Sequence, residues 1–137
     1  MVRELIHDPL FLGRKSQPAG KEDRQIALDL QDTLLAHRET CVGMAANMIG
    51  ELKNIIVFDL EGKPMVMLNP RILKASGPYE TEESCLSLLG GPRKTQRYEK
   101  IKVEFDTLDL QKRLRTFTGW TAQIIQHEID HCSGILI

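Results

Sequence analysis

The chain has no apolar run of the length that a helical membrane span requires, and its first residues, Met1-Val2-Arg3-Glu4-Leu5-Ile6-His7-Asp8, are too charged for a signal peptide. A cytoplasmic protein is expected. It also lacks an excess of charge of one sign: 18 Lys and Arg face 19 Asp and Glu, a formal net charge of -1. That leaves no electrostatic footprint for nucleic acid or an anionic membrane surface. Cysteines number three, an odd count at irregular spacing, which argues against a disulfide framework and for reduced thiols that can ligate a metal. Internal repeats, low-complexity segments and linkers are absent. At 137 residues and 42% hydrophobic, the chain can bury one core, so a single domain over residues 1–137 is expected.

Histidine is scarce as well, with four in the chain, yet two of them fall in Gln126-His127-Glu128-Ile129-Asp130-His131. On a helix His127 and His131 stand one turn apart on one face, where two imidazoles can hold one metal ion with Glu128 beside them. A divalent ion so held acidifies a bound water, and the adjacent carboxylate can take its proton and later pass it to a leaving group. This is a hydrolase pattern that still needs a third protein ligand. Downstream there is no His, Asp or Glu, and Cys132 lies well round the helix from the two-histidine face. Upstream are Cys41 and Cys85; Cys85, in a strand-to-loop transition after Glu82-Glu83-Ser84, is the better candidate.

The periodicity predicts an amphipathic helix from Lys21 to about His37, with Ile26, Leu30 and Leu34 on its apolar face. The first twenty residues read as an extended arm or loops. Cys41 to Gly50, small and apolar, can line a pocket. Asn54–Leu60 and Met65–Leu68 read as paired strands turning at Glu61-Gly62-Lys63-Pro64, with a third strand over Arg71–Ala75. Breaks are expected at Gly77-Pro78 and at Gly90-Gly91-Pro92. Strong alternation through Ile101, Val103 and Phe105, resumed at Leu110, Leu114 and Phe117, predicts an antiparallel hairpin turning near Leu108-Asp109. Thr118 can cap a last helix from about Gly119 to Cys132, with Gly134 just past its end. The order of elements predicts an α+β fold: a compact single domain with mainly antiparallel sheet packed around a C-terminal metal-binding helix.

Three segments taken together resemble the peptide deformylases, enzymes that remove the N-formyl group from newly made bacterial polypeptides. The family motifs Gly-x-Gly-x-Ala-Ala-x-Gln, Glu-Gly-Cys-Leu-Ser and Gln-His-Glu-x-Asp-His have counterparts in Cys41–Met48, Glu83-Ser84-Cys85-Leu86-Ser87 and Gln126–His131. Leu68-Asn69-Pro70 and Arg97 are also similar. The resemblance implies that Cys85, His127 and His131 bind a divalent metal, Fe²⁺ in the cell with Zn²⁺, Ni²⁺ or Co²⁺ able to replace it. It implies Glu128 as general acid/base and the backbone N–H of Leu86 as an oxyanion donor. Gly43, Met44 and Met48 of the first motif are expected at the substrate. The implied partners are an N-formyl-methionyl peptide and, transiently, the ribosome, with no nucleic-acid or membrane site on the chain itself.

Met48 stands where the family has Gln, and a thioether has no hydrogen to donate to an oxyanion. Loss of one such donor commonly costs about 10²–10³ in rate, or roughly 3–4 kcal/mol. The alternative reading is therefore a deformylase-like paralogue with altered substrate or very weak catalysis. Asn47, with its amide, is a candidate replacement donor. Cys41 and Ser84 each replace a family Gly and are expected to reshape the pocket. The chain also stops at Gly134-Ile135-Leu136-Ile137, where many members continue into a further helix that would aid ribosome docking.

Overall fold

The computed structural model describes residues 1–85 and 88–136, with the side chains of residues 88–90 set aside. Five strands, β1 (Gly43–Ala45), β2 (Ile55–Leu60), β3 (Lys63–Cys85), β4 (Leu88–Asp106) and β5 (Lys112–Thr118), form one antiparallel sheet in that order. The helices are α1 (Pro9–Leu12), α2 (Arg24–Ala36) and α3 (Gly119–Cys132), with short 3-10 turns at Lys21–Asp23 and Ala46–Ile49. The fold is α+β, as the order of patterns predicts.

The apolar run of β2 is continuous because that strand is covered on both sides. Ile56 and Phe58 pack with Phe117, Ala122 and Ile125 beneath α3, while Ile55 and Val57 pack with Ala27, Leu30 and Leu34 of α2. Alternation is confined to strands with one solvated face, such as β4, where Ile101, Val103 and Phe105 are buried between more exposed neighbours. Gln126 ties α3 to the sheet: its amide donates to Tyr98 O and its Oε1 accepts from Tyr98 N, each at 2.8 Å.

Several local expectations give way. Pro9–Leu12 is a short helix capped by Asp8, whose carboxylate accepts from Leu10 N at 3.0 Å. The predicted strand Arg71–Ala75 is part of the 23-residue β3, and neither Gly77-Pro78 nor Gly90-Gly91-Pro92 interrupts a strand. Beyond Leu68, β3 pairs with β4 alone, so Pro78 sits on a strand with a free edge and removes no ladder bond on that side. Gly77 and Gly91, at φ of +72° and +88°, take left-handed backbone within the ribbon. Thr118 occupies the N-cap position of α3, but its side chain makes no capping bond.

Candidate metal centre

Helix α3 places His127 and His131 on its buried face, 7% and 0% exposed, with their Nε2 atoms 3.1 Å apart. Two nitrogens bound to one tetrahedral ion at about 2.0–2.1 Å each lie roughly 3.3 Å apart, so this pair is spaced to share a cation. The third donor arrives from the end of β3. Cys85 Sγ and the two imidazoles bring ligating atoms within 4.8 Å of one another. A register shift between Glu83 and Cys85 breaks the regular ladder there, the kind of irregularity that re-aims side chains at a site. Cys132 is packed into the core beneath α3 and stays outside the cluster, as its helical spacing implies.

Glu83 orders the first histidine. Its carboxylate accepts from His127 Nδ1 at 2.7 Å, from Arg97 Nη2 at 2.6 Å and from Gln123 Nε2 at 2.9 Å. Holding the Nδ1 proton on Glu83 turns Nε2 toward the other donors, the arrangement that metal-bound histidines favour. Arg97, 4% exposed, also donates to Asp130 at 2.7 Å, so one buried guanidinium joins β3, β4 and α3. Burial pushes the Glu83 carboxyl up, but its bonds to His127, Arg97 and Gln123 outweigh this and hold it at about 2. The sequence reading passed over Glu83, Asp130 and Gln123. The signal was Glu83 two residues before Cys85 in an extended segment, with a lone Arg97 to partner it.

The remaining titratable groups are tuned chiefly by burial. Glu128 is 3% exposed, and desolvation lifts its carboxyl to about 7; its Oε1 meets no hydrogen-bond partner among the described residues. Burial and the neighbouring His127 charge push His131 down to about 3. Burial also lowers His127, yet its bond to Cys85 and the charges of Glu128 and Glu83 raise it to about 10. In the metal-free cluster, therefore, a proton on His127 faces a neutral His131, where a cation would displace it.

The cluster opens on a cleft of about 420 Å³ whose walls include Gly43, Cys85, Trp120, Ile124, His127 and Glu128. Of the residues expected at the substrate, Gly43 lines this cleft, whereas Met44 and Met48 are fully buried outside its lining. Gly43 has to be small: a Cβ there would lie 2.7 Å from Ile124 Cγ2 and 2.9 Å from Glu128 Oε2. Cys41 and Ser84 both line the cleft. The Cys41 thiol donates to Gly43 O at 3.0 Å, and burial, followed by the charge of Glu128, raises it to about 12. Asn47 is turned away from the site: its amide donates to His131 O at 3.0 Å and Leu12 O at 3.4 Å, so it is no oxyanion donor. Leu86, the other expected donor, lies outside the described residues.

Cys, His and His beside a buried carboxylate and opening on a cleft fit a metal ion with an open coordination position, the arrangement of a mononuclear metal-dependent hydrolase. The family profile "Polypeptide deformylase" matches residues 5–137. A peptide deformylase from Clostridium beijerinckii is 53% identical over 137 residues, covering all of both chains. Among solved structures, a peptide deformylase from Legionella pneumophila superposes with a TM-score of 0.89 at 31% identity, covering 99% of this chain and 83% of that one. A class I type b peptide deformylase from Acinetobacter baumannii, solved with Met-Ala-Ser bound, gives 0.88 at 28% identity over 99% and 97%. The chain belongs to the polypeptide deformylase family.

Proposed function

We propose that this protein hydrolyses the N-formyl group of formyl-methionyl peptides on nascent proteins, with Cys85, His127 and His131 as metal ligands. The observation that carries the reading is the three-donor cluster, within 4.8 Å, beside a buried carboxyl held near 7. A bound divalent ion, Fe²⁺ in the cell or Zn²⁺, Ni²⁺ or Co²⁺ in its place, supplies Lewis acidity to water and to the formyl oxygen. Glu128, beside His127 and at the cleft, takes a proton from the attacking water and returns it to the departing amine. The family resemblance assigns the Leu86 N–H to the developing oxyanion. Glu83 and Arg97 hold His127 in one tautomer, and Gly43 leaves room for the Glu128 carboxylate.

The alternative of a drifted paralogue is not favoured, given full-length relatives named for this activity. With Met48 in the motif, the Leu86 N–H is the donor assigned to the oxyanion, without a side-chain amide. Transient association with the ribosome in the cytoplasm would bring formylated chains to the cleft. Anaerobic assay of the iron-loaded protein on formyl-Met-Ala-Ser tests the proposal. Glu128→Ala is expected to keep its metal and lose nearly all turnover, and parent-level turnover in that variant would sink the mechanism.

A further inference from the structure

Met48, the family-motif position where this chain differs most in chemistry, touches Cys85, one of the three clustered donors. Its Sδ lies 3.9 Å from Cys85 Sγ, and the Cys85 thiol donates to it. Ala45 N–H donates to the same sulfur at 3.5 Å, which holds the thioether in place. The side chain is fully buried and outside the cleft lining, so its sulfur meets the cluster from the protein interior. Four atoms are thus joined in two hydrogen-bonded pairs, Nε2 with Nε2 at 3.1 Å and sulfur with sulfur at 3.9 Å. Each pair shares a hydrogen between two atoms that are both metal donors by chemistry.

We infer that Met48 is a weak fourth metal contact, which converts a His₂Cys site into a His₂CysMet donor set. Two sulfurs bound to one ion at about 2.3 Å each lie no more than roughly 4.6 Å apart, a limit that the observed pair satisfies. Long thioether contacts beside a His₂Cys set are an attested coordination mode, and soft sulfur donors favour thiophilic ions. The consequence is a higher ratio of Zn²⁺ to Fe²⁺ affinity than the same site would have without the thioether. Occupancy in the cell still follows supply, while the donor set decides the ratio. Because Met48 approaches from the interior, the cleft side stays open to water and substrate. The inference rests on the proposed function only in taking Cys85, His127 and His131 as the ligands.

The test uses metal-free protein loaded anaerobically with one equivalent of Co²⁺, alongside Met48→Leu, which keeps the apolar volume. X-ray absorption at the cobalt edge is expected to count two sulfurs in the parent, one of them long, and one in the variant. Competition between Zn²⁺ and Fe²⁺ is expected to show the affinity ratio falling roughly tenfold in the variant. Met48→Gln gives a second variant that also lacks the sulfur. Any outcome other than the loss of one sulfur on removing the thioether overturns the inference. Turnover of formyl-Met-Ala-Ser by the same samples is read separately, so failure of the proposed activity would be distinct from failure of the sulfur count. Cys85→Ser, expected to remove the short sulfur, identifies the thiolate.

Discussion

Replacing Glu83 by Gln changes one oxygen to an amide nitrogen and removes one negative charge where four nitrogen donors converge. These are Arg97 Nε and Nη2, Gln123 Nε2 and His127 Nδ1, all within 3.1 Å of a carboxylate oxygen. The amide cannot satisfy them, since in either orientation its NH₂ faces an Arg97 N–H together with His127 Nδ1 on one side or Gln123 Nε2 on the other, donor against donor. Arg97 would remain buried with Asp130 as its one carboxylate partner at 2.7 Å. Breaking a buried pair costs about 3–5 kcal/mol, and the surviving Asp130 contact sets the expectation near the lower end, about 3 kcal/mol. That is a large part of the roughly 5–15 kcal/mol that holds a domain together. Loss of the His127 tautomer control should weaken metal binding about 10–100-fold. Urea unfolding of the metal-free proteins reads the first quantity, and chelator competition reads the second. The pH dependence has a definite sign. Glu83 titrates at about 2 in the fold against an ordinary 4.5; its stabilisation is therefore complete above about 4.5 and is lost as pH falls toward 2. The gap between parent and Glu83→Gln should close over that window. Equal urea midpoints at neutral pH, with metal affinity unchanged, would refute the assignment of Glu83 as the group that orders His127.

Gly43→Ala should push its Cβ into Ile124 and the Glu128 carboxylate, 2.7 and 2.9 Å away. The expected result is about 1–3 kcal/mol of destabilisation by overpacking and roughly 100-fold slower turnover from a displaced proton carrier, with metal content by atomic absorption unchanged. Asn47→Asp would set a fully buried carboxylate against the carbonyls of His131 and Leu12. Urea unfolding should show a loss of more than about 2 kcal/mol at neutral pH. Chelation should lower the thermal midpoint of the parent, since a ligand bound only to the native state stabilises it. Cys85→Ser should respond to the chelator much less, which differential scanning calorimetry can check.

The residues whose placement was legible in the sequence are those whose information is local. His127 and His131 are one helical turn apart whatever else the chain does, and Glu128 follows by adjacency. The 3.6-residue period of α2 and the two-residue period of β4 are likewise properties of short segments. Position in the sheet is another matter. Gly77-Pro78 reads as a break because the missing N–H matters on a strand with two neighbours; only the assembled sheet leaves that part of β3 with one. Glu80, Glu82 and Glu83 look alike as letters, yet just Glu83 lies where α3 and β4 bring His127, Gln123 and Arg97 together. Asn47 and Met48 are adjacent, and the 3-10 turn sends the amide to the His131 carbonyl and the thioether to Cys85. The pair of histidines, the carboxylate beside them and the alternation that builds the sheet can be read from the chain alone, because each depends on backbone geometry over a few residues. Which sulfur lies with the histidines and which acid bonds to His127 became visible in the fold, because those contacts join segments about forty residues apart whose meeting is set by how α3 packs on the sheet.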